Sequence, residues 1–363
     1  MRGEVDPQSS MFHYFSVESR IPADHPLRRV KKLAESALSA ISAELDGLYA
    51  RTGRPSIPPE RLLKAQLLIA FYSVRSDRLF CEQLDYNLLF RWFLDLDLES
   101  GGLDQSNFSR LRERLVETDI ARRFFDEVVR LARKDKLLSS DHFTVDGTLI
   151  DAWASFKSFK RKDDNEPPKP GDGTGMVDFK GEKRSNATHQ STTDPEAKLM
   201  RKGNGQPAKL SYGGHALMEN RSGLCVDLLI TDATLAEHQA ARQLLTRARR
   251  RKIHPKTLGA DKGYHVKDFV RHLREHKIKP HIARIDGRKT PGLDGRTSCT
   301  EGYKVSQRKR KRVEEIFGWL KTVGGMRKTR FIGEARTQIA AYLSAAAYNL
   351  LRIAKLQSAG SAA

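Results

Sequence analysis

The spacing of apolar residues predicts helices in the first part of the chain. Apolar side chains recur at helical intervals in LRRVKKLAESALSAI, PPERLLKAQLLIAFYSV, SDRLFCEQL and SNFSRLRERLVE. Pro58 and Pro59 suit the start of a helix, and Ser76 and Ser106 stand where N-caps are expected. We therefore predict an all-α N-terminal domain over residues 1–135.

The pattern changes after this region. HFTVDGTLIDAW is rich in β-branched and aromatic residues, which predicts a strand followed by a turn at Asp146 and Gly147. Residues 156–206 are crowded with Lys, Asp, Gly, Pro, Ser and Thr and have no sustained period. We expect this polar insert to lie outside the core, either as a mobile loop or as a segment that is ordered only with a partner.

Strands and helices alternate after the insert. KLSYGGHALMEN and LCVDLLITDA predict a hairpin, and the following helix, TLAEHQAARQLLTRARR, has a capping-box pattern at Thr234 and Glu237. A strand ending at Asp261, a helix, a short strand and a Gly/Pro-rich loop precede two amphipathic helices, RVEEIFGWLKTV and TQIAAYLSAAAYNLLRIAKL. This alternation predicts an α/β catalytic domain over residues 136–355 and a flexible tail over residues 356–363.

The charge of the chain indicates a polyanionic partner. Lys and Arg number 65 against 45 Asp and Glu, which gives a net charge of +20 and favours nucleic acid. No apolar run approaches the roughly 18–20 residues of a membrane span, and the N-terminus lacks a secretion signal, so we expect a cytoplasmic protein without membrane contact. Cys81, Cys225 and Cys299 match no disulfide or zinc spacing and are interpreted as buried or incidental thiols.

Two aspartates are candidates for metal binding. Asp146 lies in TVDGT, and Asp261 lies in GADKGY at the carboxyl end of a predicted strand, where α/β sheets commonly bind ligands. Convergent carboxylates are what two-metal phosphoryl transfer requires. Each Asp taken alone is equally well explained as part of a turn.

A third acidic residue lies on a predicted helix. Arg310, Glu314 and Lys321 are spaced by four and seven residues and therefore share one helix face. The alternative is a solvated face on which these charges form ion pairs. Glu315 competes with Glu314 but lies about 100° away around the helix and breaks the spacing, so we prefer Glu314.

VDGTLIDAW, GADKGYH and RKRKRVEEIFGWLK resemble the three catalytic boxes of bacterial insertion-sequence transposases of family five. The N-terminal helices and TDPEAKLMRKGNGQPAKLSYGGHALMEN also resemble that family. The resemblance implies an RNase-H-like mixed sheet flanked by helices, in which Asp146, Asp261 and Glu314 form the catalytic, metal-binding triad. In the family signature a Tyr precedes the Arg, whereas this chain has Gln307 there.

The resemblance also implies an activity, a cofactor and partners. It implies cut-and-paste strand cleavage and transfer with two Mg²⁺ ions per active site, for which Mn²⁺ substitutes. The partners would be double-stranded DNA, as terminal inverted repeats and target, and a second copy of the chain in a homodimer on paired ends. On DNA the protein would associate with the bacterial nucleoid. The alternatives are an RNase-H-like nuclease that cuts without joining and a DNA-binding regulator derived from a transposase.

Basic and polar residues in three regions are candidates for DNA contact. They are Arg308, Lys309, Arg310, Lys311, Arg312 and Lys321 beside the triad, Asn107, Arg110 and Arg112 in an N-terminal helix, and Lys198, Arg201 and Lys202 in the insert. Asn and Arg suit base reading in a major groove. Alternatively, the N-terminal helix packs within its domain and its arginines contact only the DNA backbone, and the basic run is a solvated helix start.

The remaining conspicuous side chains have structural interpretations. His238 and His265 are interpreted as hydrogen-bonded structural residues rather than catalysts. Trp92 and Trp153 are expected in the core. Trp319 is expected to pack in the core, with stacking on an unpaired base as the alternative.

Overall fold

The computed structural model describes residues 16–47, 56–162, 184–203 and 205–361. The helices are α1 (Val17–Arg20), α2 (Pro26–Ala40), α3 (Ser42–Asp46), α4 (Pro59–Phe71), α5 (Asp77–Tyr86), α6 (Leu88–Phe93), α7 (Gln105–Glu117), α8 (Ile120–Lys134), α9 (Glu237–Arg250), α10 (Lys267–Glu275), α11 (Gly295–Ser298), α12 (Glu301–Lys309), α13 (Val313–Thr322) and α14 (Glu334–Ser361). The strands are β1 (His142–Asp151), β2 (Phe159–Arg161), β3 (His189–Ser191), β4 (Lys198–Met200), β5 (Lys209–Glu219), β6 (Leu224–Asp232), β7 (Thr257–Ala260) and β8 (Lys279–Ile282).

A mixed sheet forms the centre of the catalytic region. β5 is antiparallel to both β1 and β6, whereas β7 is parallel to β1 and β8 is parallel to β7. Helices α9 and α14 pack on this sheet, and α10 and α12 contact its β8 edge. The α/β class, with a mixed sheet flanked by helices and a preceding helical region, is therefore confirmed.

The first strand is longer than its sequence suggests. β1 continues through Asp146 and Gly147, which pair with Ala216 and His215 of β5. The predicted turn at this Asp-Gly pair is wrong, because β5 provides a partner for every position from Phe143 to Asp151. Asp146 consequently projects from the middle of a sheet strand, a more rigid support than a turn.

The hairpin predicted after the insert is confirmed. β5 and β6 are joined by Asn220–Gly223, and the carboxylate of Glu219 accepts hydrogen bonds from the backbone N–H groups of Arg221 at 3.1 Å and Ser222 at 2.8 Å. Glu219 is fully buried, so these bonds compensate for the lost hydration of its charge.

Helix caps follow the sequence signals only in part. Ser76 caps α5, because its hydroxyl accepts from the Leu79 N–H at 3.1 Å. Ser106 lies inside α7 instead, and Asp104 is the cap, accepting from the Asn107 N–H at 2.8 Å. The Ser106 prediction is wrong because an aspartate two residues earlier provides the stronger, charged acceptor.

The capping box predicted for α9 is also wrong. The Thr234 hydroxyl and N–H both donate to the Asp232 carboxylate at 2.7 Å, so Thr234 is held before the helix starts. Ala236 is the N-cap, without a side-chain hydrogen bond, and Glu237 is the first helical residue. The Glu237 side chain therefore does not fold back on the helix terminus.

Much of the polar insert belongs to the folded structure. β2 and β3 pair, β4 extends the sheet beside β5, and buried Phe159 stacks on His189 with ring centroids 5.4 Å apart. Buried Asp194 accepts a hydrogen bond from the Tyr212 hydroxyl at 2.7 Å. The expectation of a loop outside the core is wrong for these parts, because scattered apolar residues anchor them; residues 163–183 and 204 lie outside the described residues.

The last helix connects the N-terminal helices to the sheet. On one side Tyr342 stacks on Phe125 of α8 at 5.8 Å, and on the other Asn349 exchanges hydrogen bonds of 2.9 and 2.8 Å with the backbone of Cys225 in β6. The two predicted domains share one continuous core. α14 also runs to Ser361, so the flexible tail predicted from residue 356 is wrong up to that point; residues 362–363 lie outside the described residues.

Two further interpretations of single residues can be compared with the structure. Trp92 is buried as expected, whereas Trp153 is 53% exposed, just beyond the end of β1, with the Lys328 ammonium 5.2 Å from its ring centroid. The core prediction for Trp153 is wrong because β1 leaves the sheet at Asp151. Cys81 and Cys225 are buried free thiols, and Cys299 is exposed. In the ranges described above, no helix has the length and apolar character needed to cross a membrane.

A buried ion-pair network fixes α9 to the sheet. Asp227 on β6 is 1% exposed, and its carboxylate pairs with Arg247 at 3.1 Å and Arg251 at 2.8 Å, both on the C-terminal part of α9 and its cap. Arg251 also pairs with Asp126 of α8 at 2.7 Å. Because α9 begins at Glu237, this network fixes the position of that residue over the sheet.

Replacement of the central carboxylate should destabilise the fold. Asp227→Asn leaves two guanidinium groups without their buried counter-charge, and we expect the free energy of unfolding to fall by about 3 kcal/mol. Chemical denaturation measures the change. The matched control is Asp141→Asn, whose exposed pair with Lys256 should contribute nothing measurable. Equal stability of the two variants would contradict the assigned role of the network.

Candidate active site

Asp146 lies on β1, and Asp261 directly follows the neighbouring parallel strand β7. In the β1–β7 ladder Thr144 is paired with Gly259. Asp146 follows Thr144 by two positions, and Asp261 follows Gly259 by two positions. Parallel strands are about 4.8 Å apart, and residues in register point to the same face of the sheet. The structure therefore brings together two of the predicted ligands, which are separated by more than a hundred residues in the sequence.

Local hydrogen bonds orient both carboxylates. Asp146 accepts from the N–H of Gly147 at 2.8 Å, and Asp261 accepts from the N–H of Gly263 at 2.8 Å. Asp261 is the N-cap of a 3₁₀ turn, Lys262–Tyr264, directly after β7. In each case one carboxylate oxygen is engaged and the other remains available for a ligand.

Glu314 reaches the same place from a helix. The sequence predicted one helix carrying Arg310, Glu314 and Lys321, but the structure has α12, a 3₁₀ turn over Arg310–Arg312, and α13. The single-helix prediction is wrong because the chain tightens at the basic run. Glu314 lies in the first turn of α13, and its charge raises the pKa of Asp146. The charge of Glu315 acts on a different residue, Tyr348, whose pKa burial and this charge raise to about 12.

The environment of Asp146 disfavours its charged form. Burial raises its pKa to about 6, the charges of Asp261 and Glu314 act in the same direction, and the Arg310 guanidinium opposes them. Arg310 is oriented by Gln307, whose side-chain oxygen accepts from Arg310 Nε at 3.1 Å. Gln307 therefore has a positioning contact at the site where the family signature has Tyr.

A fourth carboxylate, Glu237, lies in this group and was not predicted from the sequence. Burial raises its pKa to about 7, with further contributions from the charges of Asp261 and Asp146. A Cβ atom added at Gly263 would lie 3.5 Å from Glu237 Oε2 and 3.1 Å from Asp261 Oδ1. The sequence showed Glu237 only as an acidic residue near a helix start, a common feature of helices in general.

The glycine after Asp146 makes room for this residue. A Cβ atom at Gly147 would lie 2.9 Å from Glu237 Oε1 and 3.0 Å from His215 Nδ1, closer than real Cβ contacts. Gly259 similarly allows α12 to approach β7, since a Cβ there would lie 3.3 Å from Arg310 Cβ. Close approach, rather than a turn, explains the glycine that follows Asp146.

Two buried polar atoms beside the carboxylates have no hydrogen-bond partner among the described residues. They are Nδ1 of His215, which is 3% exposed, and the hydroxyl of Tyr264, which is fully buried. Burial, followed by the charges of Glu237, Asp146 and Asp261, raises the pKa of Tyr264 well above its ordinary value. Buried polar groups of this kind are uncommon unless a ligand or water completes them.

The donor set fits a divalent metal ion. Carboxylate oxygens are the ligands that Mg²⁺ and Mn²⁺ prefer, and a cation would offset the repulsion among these acids. Asp146, Asp261 and Glu314 do not form a group within 4.8 Å; among the described residues that spacing occurs at His272, Glu275 and His276 on α10. A two-ion site does not require so tight a group, because its ions lie about 4 Å apart.

Lys321 lies at the end of this site. Its ammonium donates to the Thr148 hydroxyl at 2.6 Å, two residues beyond Asp146 on β1. Burial and the nearby charges of Lys202 and Arg327 lower the pKa of Lys321. Lys202 of the insert and Lys321 of α13, both predicted to bind DNA, therefore lie close together.

The basic run divides into exposed and engaged residues. Arg308, Lys309 and Lys311 are exposed, whereas the Arg312 guanidinium donates to the backbone oxygens of Asn220 at 2.5 Å and Arg221 at 2.8 Å. Arg312, the N-cap of α13, consequently holds the β5–β6 turn against the start of that helix.

The N-terminal candidates divide in the same way. Asn107 and Arg110 are exposed on α7, where Arg110 donates to the Asn107 side-chain oxygen at 2.7 Å. Arg112 forms an ion pair with Asp77 and lies over the Phe331 ring, with its guanidinium carbon 5.0 Å from the centroid. Arg112 thus packs within the protein, as the alternative interpretation of this helix expected.

The remaining candidates have varied surroundings. Lys198 is partly buried on β4, and Arg201 is exposed beyond it. His265 Nδ1 accepts from the Ile285 N–H at 2.9 Å, in agreement with its structural interpretation. Trp319 packs against Tyr348 with ring centroids 5.8 Å apart.

Comparison with known proteins gives two family matches. The family model "Transposase domain (DUF772)" matches residues 15–114, and the model "Transposase DDE domain" matches residues 177–350. Asp261 and Glu314 fall within the second match, and Asp146 lies before it. No curated protein sequence matches the chain.

Two solved structures show a weak likeness. A cryo-EM structure of the piggyBac transposase synaptic complex with hairpin DNA has a TM-score of 0.40 at 11% identity, over 92% of this chain and 76% of that chain. A Mos1 transposase paired-end complex with the left transposon end has a TM-score of 0.21 at 12% identity, over 84% and 82%. Superposition at these scores adds nothing to the family matches.

The chain belongs to the DDE transposases. It is a DNA transposase whose reaction depends on divalent metal ions, and DNA is its partner. The family models do not distinguish subgroups, so membership of insertion-sequence family five stays a prediction.

Substitution of the glycine beside Asp146 should impair the site selectively. In Gly147→Ala the new methyl group displaces the Glu237 carboxylate, and we expect strand cleavage to fall at least about tenfold with little change in the melting temperature. The control is Gly318→Ala in α13, where an added Cβ meets nothing within 4 Å; it should retain cleavage and gain up to about 1 kcal/mol of stability. Full cleavage by Gly147→Ala would show that this close approach is irrelevant to the reaction.

Proposed function

We propose that the chain binds the terminal inverted repeats of an insertion sequence and catalyses strand cleavage and strand transfer at Asp146, Asp261 and Glu314. Two Mg²⁺ ions, for which Mn²⁺ substitutes, would be held by these three carboxylates. The observation that supports the proposal best is the register of β1 and β7, in which Asp146 and Asp261 each follow a paired residue by two positions, together with the charge of Glu314 acting on Asp146.

The residues have distinct roles in this proposal. The ions, when bound, supply activation of the attacking oxygen and stabilisation of the leaving oxygen. The charges of both Asp261 and Glu314 act on Asp146, and these three carboxylates would hold the ions. Arg310 would offset negative charge at the scissile phosphate, and Lys321 would hold a neighbouring phosphate near Thr148.

We also propose a DNA path beside the carboxylates. Exposed Arg308, Lys309 and Lys311 lead into the site, and Lys202 joins Lys321 at its other end. Phosphate contacts of this kind position the duplex without reading its sequence. The guanidinium of Arg312 is engaged by backbone carbonyls, so any contact it makes with DNA would be secondary to its structural role.

Sequence reading is proposed for the N-terminal region. Asn107 and Arg110 are adjacent and exposed on α7, an arrangement that can present both an amide and a guanidinium to base edges. Arg112 would support this helix through Asp77 rather than contact bases. Lys198 and Arg201 at the insert would add backbone contacts.

The assembly follows from the chemistry. Two element ends must be cut and joined together, and we propose a homodimer that supplies one active site to each end. Cleavage without joining would instead identify the nuclease alternative, and DNA binding without cleavage would identify the regulator.

Loss of one triad carboxylate should abolish chemistry without loss of binding. Asp146→Asn and Glu314→Gln should each reduce Mg²⁺-dependent 3′-end release and joining to a plasmid by at least about a thousandfold, because ligands are lost from the metal site. Gel-shift affinity for the DNA that flanks the chain's own gene should be retained. EDTA should abolish activity of the unchanged protein, and Mn²⁺ should restore it.

Glu315→Gln is the matched control for the helix residue. It removes the same charge one position along α13, where that charge affects the pKa of Tyr348. Activity should stay within about twofold of the unchanged protein. Loss of activity in Glu315→Gln with retention in Glu314→Gln would reverse the assignment of the third carboxylate.

Removal of the exposed basic residues should change the salt dependence of binding. Arg308→Ala combined with Lys309→Ala should lower the slope of log affinity against log salt by about 2, equally on specific and random duplexes. Arg249→Ala with Arg250→Ala removes the same charge at the end of α9, about 20 Å from Glu237, and should leave the slope unchanged. Equal effects of the two double variants would show that net charge alone matters.

A further inference from the structure

Glu237 lies between the two strand aspartates, although it comes from a different part of the sheet. It follows β6 and begins α9, and its two carboxylate oxygens lie near Gly147 and Gly263, the residues that orient Asp146 and Asp261. An acidic first-turn residue usually faces water and the helix N-terminus. Glu237 instead lies partly buried among residues of its own charge.

No counter-charge among the described residues explains this position. Among the ion pairs of the described residues, none includes Glu237. The charges that act on it are those of Asp261 and Asp146, and both oppose its ionisation. A divalent cation bound beside Glu237 would offset this repulsion.

His215 provides an independent indication of a ligand. Its Nε2 lies 3.1 Å from the Thr231 hydroxyl, which itself donates to the Asp232 carbonyl at 3.0 Å. The hydroxyl proton is thus used, so Nε2 donates and Nδ1 carries a lone pair. That atom is buried and without a partner, and it faces the point beside Gly147 that the Glu237 oxygen also approaches.

Tyr264 provides a second indication. Its side chain is fully buried, its hydroxyl has no partner among the described residues, and the carboxyl groups of Glu237, Asp146 and Asp261 all act on it. A hydroxyl that stays protonated is a donor toward carboxylates. Such donors fix the orientation of acidic metal ligands, and their loss typically weakens binding of the metal about 10- to 100-fold.

From this geometry we propose that Glu237 is a fourth carboxylate ligand of the divalent-metal site, binding beside Asp146 and Asp261, with Tyr264 as its positioning residue and the lone pair of His215 Nδ1 facing the same point beside Gly147. The inference rests on the proposed function, because it adds a ligand to that site. It also explains why Gly147 must lack a side chain and why α9 is fixed to β6 through Asp227.

The test is a direct titration of the full chain with Mn²⁺. The electron paramagnetic resonance signal of the free ion measures how much is bound. The protein carries His272→Ala and His276→Ala in every sample, which removes the surface group on α10. Glu237→Gln should weaken Mn²⁺ binding at least about tenfold, in the same direction as Asp146→Asn and Asp261→Asn. Glu315→Gln, the matched control, should bind as the parent protein does.

The outcomes distinguish failure of the fourth ligand from failure of the three-carboxylate site. If Glu237→Gln binds Mn²⁺ with the parent's affinity while both aspartate variants lose it, the fourth ligand is excluded and the three-carboxylate site stands. If neither aspartate variant loses affinity, the site itself is wrong. Should circular dichroism show that Glu237→Gln is unfolded, Glu237→Asp replaces it, and its shorter carboxylate should give an affinity between those of the parent and Asp146→Asn.

Discussion

Repulsion among carboxylates at one edge of the sheet is the constraint on which the site depends. The charges of Asp261 and Glu314 act on Asp146, and those of Asp261 and Asp146 act on Glu237. Burial raises the pKa of Asp146 to about 6 and that of Glu237 to about 7. Arg310 is the basic residue whose charge opposes this rise in the pKa of Asp146. An arrangement of this kind costs free energy in the absence of cations, and the binding of divalent ions recovers it.

The rest of the molecule holds these acids in place against that repulsion. The β1–β7 register fixes Asp146 and Asp261, and α13 carries Glu314. The Asp227 network holds α9 and with it Glu237. α14 then packs against β6 and the N-terminal helices, so the catalytic sheet and the helical region share one core. Rigid support of this sort is what a metal site needs, since small displacements of ligands weaken binding.

Errors in the sequence-based predictions cluster where local rules compete with sheet pairing. Asp-Gly favours a turn locally, but β5 pairs across Asp146 and Gly147 and keeps β1 extended. Thr234 and Glu237 match a capping box, but Asp232 binds the threonine and the glutamate turns toward other acids. Arg310 and Glu314 have helical spacing, but a 3₁₀ turn separates their helices. The elements themselves, with strands ending near Asp261 and a hairpin at Gly223, were predictable because their periodicity and turn residues are local.

The sequence by itself determined the basic charge and the order of helices and strands, and its resemblance to the transposase boxes predicted Asp146, Asp261 and Glu314 as the triad. These properties depend on composition and on neighbours within a few residues. Only the tertiary structure decided that Glu237 lies with Asp146 and Asp261, that Trp153 is exposed, and that Arg112 is engaged by Asp77. Each of these depends on the register of strands or on packing between segments far apart in the chain, and no local pattern encodes which distant residue will fill the space beside a glycine.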